Sequence, residues 1–202
     1  MQSASAFKMS MTTIFLLLLV LAGLLVMNRD RSEFPSSTSS EASKMEAVSV
    51  VFLEAVQEGR LDEVREYLDG GVDVNTRNSL GEGALHLVRD ARIAALLIEG
   101  GADLEMRDAQ TGMTPLFFQD GEIMRLLIKA GANVDARSDH GNTPLMWYAY
   151  SGYKEGITLL LHHGADIEAR NADGQTALDI AERFADPEVS AFLLSAGAAR
   201  KD

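Results

Sequence analysis

The chain contains no cysteine. Disulfides, thiolate nucleophiles, Cys-ligated zinc and iron–sulfur clusters are therefore excluded. Basic residues are scarce, with 18 Lys and Arg against 30 Asp and Glu for a formal charge of −12. A nucleic-acid backbone needs a basic footprint, so nucleic acid is not an expected partner. The chain also lacks a Gly-x-Ser-x-Gly elbow, a phosphate loop ending in Gly-Lys-Ser/Thr and a triple-glycine dinucleotide turn. No His-x-x-x-His pair exists, and the adjacent His162 and His163 project differently from a helix, which argues against a metal site. No carboxylate pair stands out as an acid and base. The expectation is a protein without enzymatic activity, cofactor, metal or small-molecule substrate. Apolar residues still make up 47% of the chain, enough for a packed core.

Charge is unevenly placed. Residues 1–45 hold four basic and three acidic side chains, so 46–202 carry a net −13. Within 1–45, residues 9–28 hold no ionisable side chain, and 14–27 are almost wholly Leu, Val, Ile, Phe and Met. As a helix, twenty such residues span roughly 30 Å, the thickness of a bilayer's hydrocarbon core. The run closes Leu-Leu-Val-Met-Asn-Arg without a small-x-small cleavage site, and Leu24 stands where a lipoprotein signal would have Cys. Residues 9–28 therefore read as an uncleaved transmembrane anchor behind a short tail, 1–8; a cleaved signal peptide is the alternative. Lys8 on one side and Arg29 and Arg31 on the other nearly tie the positive-inside tally. A short tail before one apolar segment resembles bacterial signal anchors, which implies an inner-membrane protein with its C-terminal domain in the periplasm. Residues 29–45, rich in Ser, read as a flexible linker.

Beyond the linker the sequence repeats. A first glycine marker recurs at Gly71, Gly101, Gly131, Gly164 and Gly197, at spacings of 30, 30, 33 and 33. A second follows at Gly81, Gly112, Gly141 and Gly174, and behind it come Gly-Ala-Leu-His (83–86), Thr-Pro-Leu-Phe (114–117), Thr-Pro-Leu-Met (143–146) and Thr-Ala-Leu-Asp (176–179). Thr before Pro is an N-cap followed by a residue that needs no N–H donor, so both Thr114-Pro115 and Thr143-Pro144 predict helix starts. An apolar helix precedes each first marker, whose glycine can close it in the left-handed conformation. The short polar stretch between the two markers predicts a hairpin finger.

In these residues, with Thr-Pro-Leu and Gly-Ala-Asp in register, 46–202 resembles the ankyrin-repeat family. The resemblance implies an all-α repeat solenoid, with an N-terminal helix pair at 46–70 and about four repeats, monomeric and used mainly to bind other proteins through a concave face of fingers and first helices. Two repeats are short. From Leu85 to Gly101 is 16 residues and from Leu116 to Gly131 is 15, against 19 in the two that follow, which predicts a lost helical turn near the inter-helix bend. The finger at 106–111 gains one residue. Gly156 stands inside a helix, where it makes room for Trp147 or Tyr148.

Four arginines, Arg77, Arg107, Arg137 and Arg170, each fall six residues after their marker glycine. They predict a ladder along the fingers, either simply solvated or pairing with carboxylates of a partner. His140 lies in a finger. His86 occupies a position where the family usually has a structural, hydrogen-bonding histidine. Tyr148 stands where the family usually has Ala. Trp147 and Phe118 are expected inside, whereas Tyr148, Tyr150 and Tyr153 are candidates for the concave surface, since Tyr offers apolar area with a wet tip. The expected function is a membrane-tethered protein-binding module or scaffold. The alternative is an inhibitor or immunity-type protein that neutralises a basic toxin or enzyme, drawn in by the acidic domain.

Overall fold

The computed structural model describes residues 37–184 and 187–198, with side chains from residue 47 onward. The tail 1–8, the apolar run 9–28 and residues 29–36 of the Ser-rich stretch lie outside the described residues. Among the described residues no helix is long and apolar enough to cross a membrane. Lys44–Asp202 form one compact unit.

That unit is a stack of helix pairs. The second helix of each described pair runs nine residues: Leu61–Asp69, Ala91–Glu99, Gly121–Lys129, Lys154–His162 and Pro187–Ser195. The first helices vary. They are Ser37–Gln57, then a stub at Ala84–Leu87, a single 3-10 turn at Pro115–Phe117, and full helices at Pro144–Ser151 and Ala177–Phe184. The four pairs from Ala84 onward are called repeats I to IV below.

Two expectations change here. The helix Ser37–Gln57 begins inside the stretch read as linker, so 37–45 have helical backbone. Beyond the serines, that stretch supplies Glu41, Ala42, Lys44 and Met45, all strong helix formers that extend the helix without a break. Thr114-Pro115 opens only a 3-10 turn, and Thr114 makes no cap bond, leaving its buried hydroxyl without a partner among the described residues. Thr143 does cap its helix, accepting from the Met146 N–H at 3.4 Å.

The regular ends have one chemistry. Gly101 sits at φ +83°, and the next N–H, from Ala102, reaches back to the Leu97 carbonyl at 3.0 Å. Ala132, Ala165 and Ala198 repeat that bond to Leu127, Leu160 and Leu193, each at 3.0 Å. This closure satisfies carbonyls a helix end would otherwise orphan, and the left-handed turn is open to glycine at little cost. Leu85, Leu116, Leu145 and Leu178 of the first helices and Leu97, Leu127, Leu160 and Leu193 of the second are all buried, forming one continuous core.

The fingers are joined by backbone and by side chains. Ala109, Asp139 and Ala172 donate their N–H groups to the carbonyls of Leu80, Thr111 and His140 in the preceding finger, at 2.9, 2.9 and 3.0 Å. Gly81 is held close by this contact, because a Cβ there would lie 2.7 Å from the Ala109 nitrogen. At the finger bases, Asn75, Glu105 and Asp135 accept from the N–H groups of Asp103, Asn133 and Asp166 in the next repeat, at 2.7, 2.7 and 3.0 Å. Much of the polar periodicity is therefore repeat-to-repeat bonding.

Candidate interaction surface

Each shortened first helix leaves carbonyls that a full turn would have bonded. In repeat I the chain turns extended at Val88, and the Leu85 and His86 carbonyls lose their helical donors. Gln119 of repeat II supplies them, its Nε2 donating to Leu85 at 3.0 Å and to His86 at 3.2 Å. In repeat II the carbonyls of Leu116 and Gln119 share the single O–H donor of Tyr148 from repeat III, the first at 2.9 Å. Gln119 and Tyr148 hold the same register, three residues after Leu116 and Leu145, where repeat IV has Ala181. The turn each stub lacks is thus replaced by one long polar side chain from the next repeat.

This overturns the surface role expected of Tyr148. It is 5% exposed, and burial pushes its hydroxyl well above the ordinary tyrosine range. Tyr153 packs against it with ring centroids 5.7 Å apart at a tilt of 53° and is half-buried. Gly156 makes room for this pair and not for Trp147: a Cβ would stand 2.6 Å from the Tyr153 ring and 3.1 Å from the Tyr148 ring. Phe118, expected inside, is 43% exposed, because the 3-10 turn ends before a helical turn could rotate it into the core. Trp147 is half-buried, with one side packed on Met113, Phe117 and Ala136.

His86 is structural. Its Nδ1 accepts from the Gly83 N–H at 3.1 Å, so Nε2 carries the proton and donates to the Met113 carbonyl at 3.2 Å. Burial holds its pKa below that of free histidine, although the Met113 carbonyl pulls the other way. Asp108 anchors the enlarged finger. Burial would raise its carboxyl pKa, but hydrogen bonds from the Thr111 hydroxyl at 2.6 Å and from the backbone N–H groups of Gln110, Thr111 and Met113 hold it below the usual range.

The four arginines are exposed, yet their guanidinium groups are committed to the fingers. Arg77 donates to the Gly81 carbonyl of its own finger at 3.3 Å and to the Arg107 carbonyl of the next at 2.8 Å. Arg137 does the same with Gly141 at 3.1 Å and Arg170 at 2.7 Å. Arg107 reaches the Arg137 carbonyl but, in its longer finger, pairs with Asp139 at 2.6 Å in place of the second carbonyl. Arg170 bonds Gly174 at 2.9 Å. The ladder is real, and its donors are largely spent on the fold.

What stays open is apolar. Leu80, Phe118, Tyr150 and Phe184 are 43, 43, 54 and 54% exposed, all on fingers or first helices. Three hollows follow that face. One of about 480 Å³ lies beside Val50, Leu53 and Arg77, and another of about 480 Å³ opens where the lost turns should be, between Arg89, Phe118 and Asp120. A third, of about 250 Å³, is lined by His140, Trp147, Tyr150, Asp173 and Phe184. Of the sequence candidates, His140 and Tyr150 meet in this third hollow. Phe184 and Asp173 were missed, although Phe184 follows Arg183, which shares Tyr150's register.

A family model described as ankyrin repeats (three copies) matches residues 89–171 and, overlapping, 118–202. Together the two matches span 89–202, more than half of the chain, across the repeats whose closures and finger bonds are described above. The chain belongs to the ankyrin-repeat family.

Proposed function

We propose that the chain is a membrane-tethered protein-binding module, anchored through residues 9–28 with its repeats in the periplasm, that grips a partner protein on the face of fingers and first helices. Ankyrin repeats generally mediate protein–protein interaction and are typically not enzymes. The observation that carries the reading is the split between the polar and apolar parts of this face. The arginines and the bases of the fingers are bonded from repeat to repeat, whereas Phe118, Tyr150 and Phe184 are 43, 54 and 54% exposed. Exposed aromatics beside hollows are the anchors that interfaces use. Tethering would raise the partner's effective concentration at the bilayer without adding contacts.

The test is affinity capture of the full chain from native membranes, comparing Tyr150→Ala with Arg125→Gln, which lies on a second helix. Loss of the same partner with the first variant and retention with the second supports the reading; equal capture by both overturns it. Release from the membrane on deletion of 9–28, and activity of an alkaline phosphatase fused after Asp202, test the tether and its orientation separately.

A second reading, an inhibitor of a basic protein, draws on the net −13 of residues 46–202, which would speed encounter with a cationic target. Rescue of growth by the full chain against a co-expressed basic toxin is the outcome that would favour it.

A further inference from the structure

We infer that the hollow between repeats III and IV is a socket for a single cationic side chain, arginine or lysine, presented by a basic segment of the partner. This inference rests on the face proposed above and names the chemistry of its strongest foothold.

Three aromatic side chains, Trp147, Tyr150 and Phe184, are among the hollow's lining. Trp147 and Tyr150 stand with ring centroids 6.1 Å apart, and Tyr150 and Phe184 with centroids 5.7 Å apart at 65°. Aromatic rings that line a space offer π-surface to a cation beside them and give less to a neutral side chain. The space is about 250 Å³, room for one long side chain and too little for a helix.

The polar rim holds the Asp173 carboxylate and the His140 ring beside amides. Asn171 is already bonded to Asn142 at 2.8 Å and to Gln175 at 3.3 Å, so these amides hold one another. Asp173 contributes the formal negative charge of the lining. Its carboxylate has no hydrogen-bond or ion-pair partner among the described residues, although its backbone N–H bonds Asn171 at 3.0 Å. A carboxylate beside an aromatic box leaves a cation's charge paired while its stem is buried.

The molecule also supplies a small precedent. The Arg183 guanidinium lies 4.9 Å from the centroid of Phe184, so this ring already draws a cation from its own helix. Arg183 itself is not among the residues that line the hollow, so it leaves the socket open.

The chain's single tryptophan, Trp147, lies in the socket wall and reports occupancy by fluorescence. The probes are capped pentapeptides Gly-Ser-X-Ser-Gly, with X arginine, citrulline (same shape, no charge) or phenylalanine, titrated into the full chain. The arginine peptide should give a saturable change in Trp147 emission. The citrulline peptide should bind about tenfold more weakly, the difference that a cation–π and carboxylate pair together supply. Asp173→Asn should weaken the arginine peptide severalfold, and Arg183→Gln, outside the lining, should leave it unchanged. Both side chains are exposed, so neither variant threatens the fold.

Equal binding of the citrulline or phenylalanine peptide, an unchanged affinity in Asp173→Asn, or no saturable response overturns the socket. If the probes fail while Tyr150→Ala still abolishes partner capture, the cationic preference falls and the binding face survives. If both fail, the face falls as well.

Discussion

Repeats I and II differ from repeats III and IV by one helical turn, and the difference shows how a solenoid tolerates a deletion. The second helices keep nine residues, and the glycine closures and the backbone bonds between fingers recur in both halves. Only the first helices change, from eight residues at Pro144–Ser151 and Ala177–Phe184 to four at Ala84–Leu87 and three at Pro115–Phe117. A missing turn removes donors from the carbonyls before it and leaves space behind them. Gln119 and Tyr148 answer both needs, with Gln119 sealing repeat I and Tyr148 sealing repeat II. Behind the full helix of repeat III no seal is needed, and the equivalent residue is the small Ala181. The lesson is that a deletion in one repeat is repaired by a substitution about thirty residues away in the next.

The severest way to break this arrangement is Tyr148→Ala. It removes a buried ring and leaves the Leu116 and Gln119 carbonyls without a donor, so a loss of about 3–5 kcal/mol is expected in urea unfolding. Tyr148→Phe keeps the ring and removes only the bonds, for about 1–3 kcal/mol. A loss in Tyr148→Ala no greater than in Tyr148→Phe would mean that the ring fills no space. Gln119→Met is expected to cost less than Tyr148→Ala, about 1–3 kcal/mol, because it strands two carbonyls without opening a large cavity. The contrast is sharpened by Ala181→Gln, which meets a full helix: its new amide finds no orphaned carbonyl, so no stabilisation should appear.

Gly156→Ala comes next, and its sign distinguishes packing from propensity. Alanine within a helix should gain up to about 1 kcal/mol over glycine. The new methyl would press on the Tyr153 and Tyr148 rings at 2.6 and 3.1 Å, and overpacking of that kind costs about 1–3 kcal/mol. Net destabilisation of about 1 kcal/mol is expected in the native background. In Tyr148→Ala one ring is gone and Tyr153 can shift into its space, so the same substitution should become neutral or stabilising. Additive effects in a double-mutant cycle would separate Gly156 from the repair.

How far this was legible in the sequence depends on the distance between cause and effect. Glycine markers act on their own helix, so their spacing indicated the closures, and the shortened intervals after Leu85 and Leu116 located the lost turns. His86 was equally readable, because the Gly83 N–H it accepts from is local. Tyr148 was not. A large residue where alanine is usual reads as a surface feature unless the void in the previous repeat is known, and that void follows from a length difference and not from any residue. Phe118 failed for the related reason that a 3-10 turn points its side chains differently from the helix the Thr-Pro signal predicts. The arginine ladder was visible as a register, but sequence alone does not tell whether a guanidinium faces a partner's carboxylate or the next finger's carbonyl. Phe184 carries no signal of its own, because a lone Phe at a helix end reads equally well as core.

The smallest expected effect concerns what the two halves share. Arg77 lies in the finger before the stub of repeat I and Arg137 in the finger before the full helix of repeat III, yet both donate to a carbonyl of their own finger and to one in the next. If the ladder is indifferent to the length of the first helix, Arg77→Ala and Arg137→Ala should cost the same. Each loses exposed hydrogen bonds that water partly replaces, so the cost should be about 0.5–1 kcal/mol, or roughly 2 °C in melting temperature. Both bonds leave the one nitrogen Nη1, so lysine, whose ammonium also carries several donors on a shorter stem, should restore part of it. A markedly larger loss at Arg77 would mean that the finger also supports the stub behind it, and the repair of the missing turn would then extend beyond Gln119 into the finger stack.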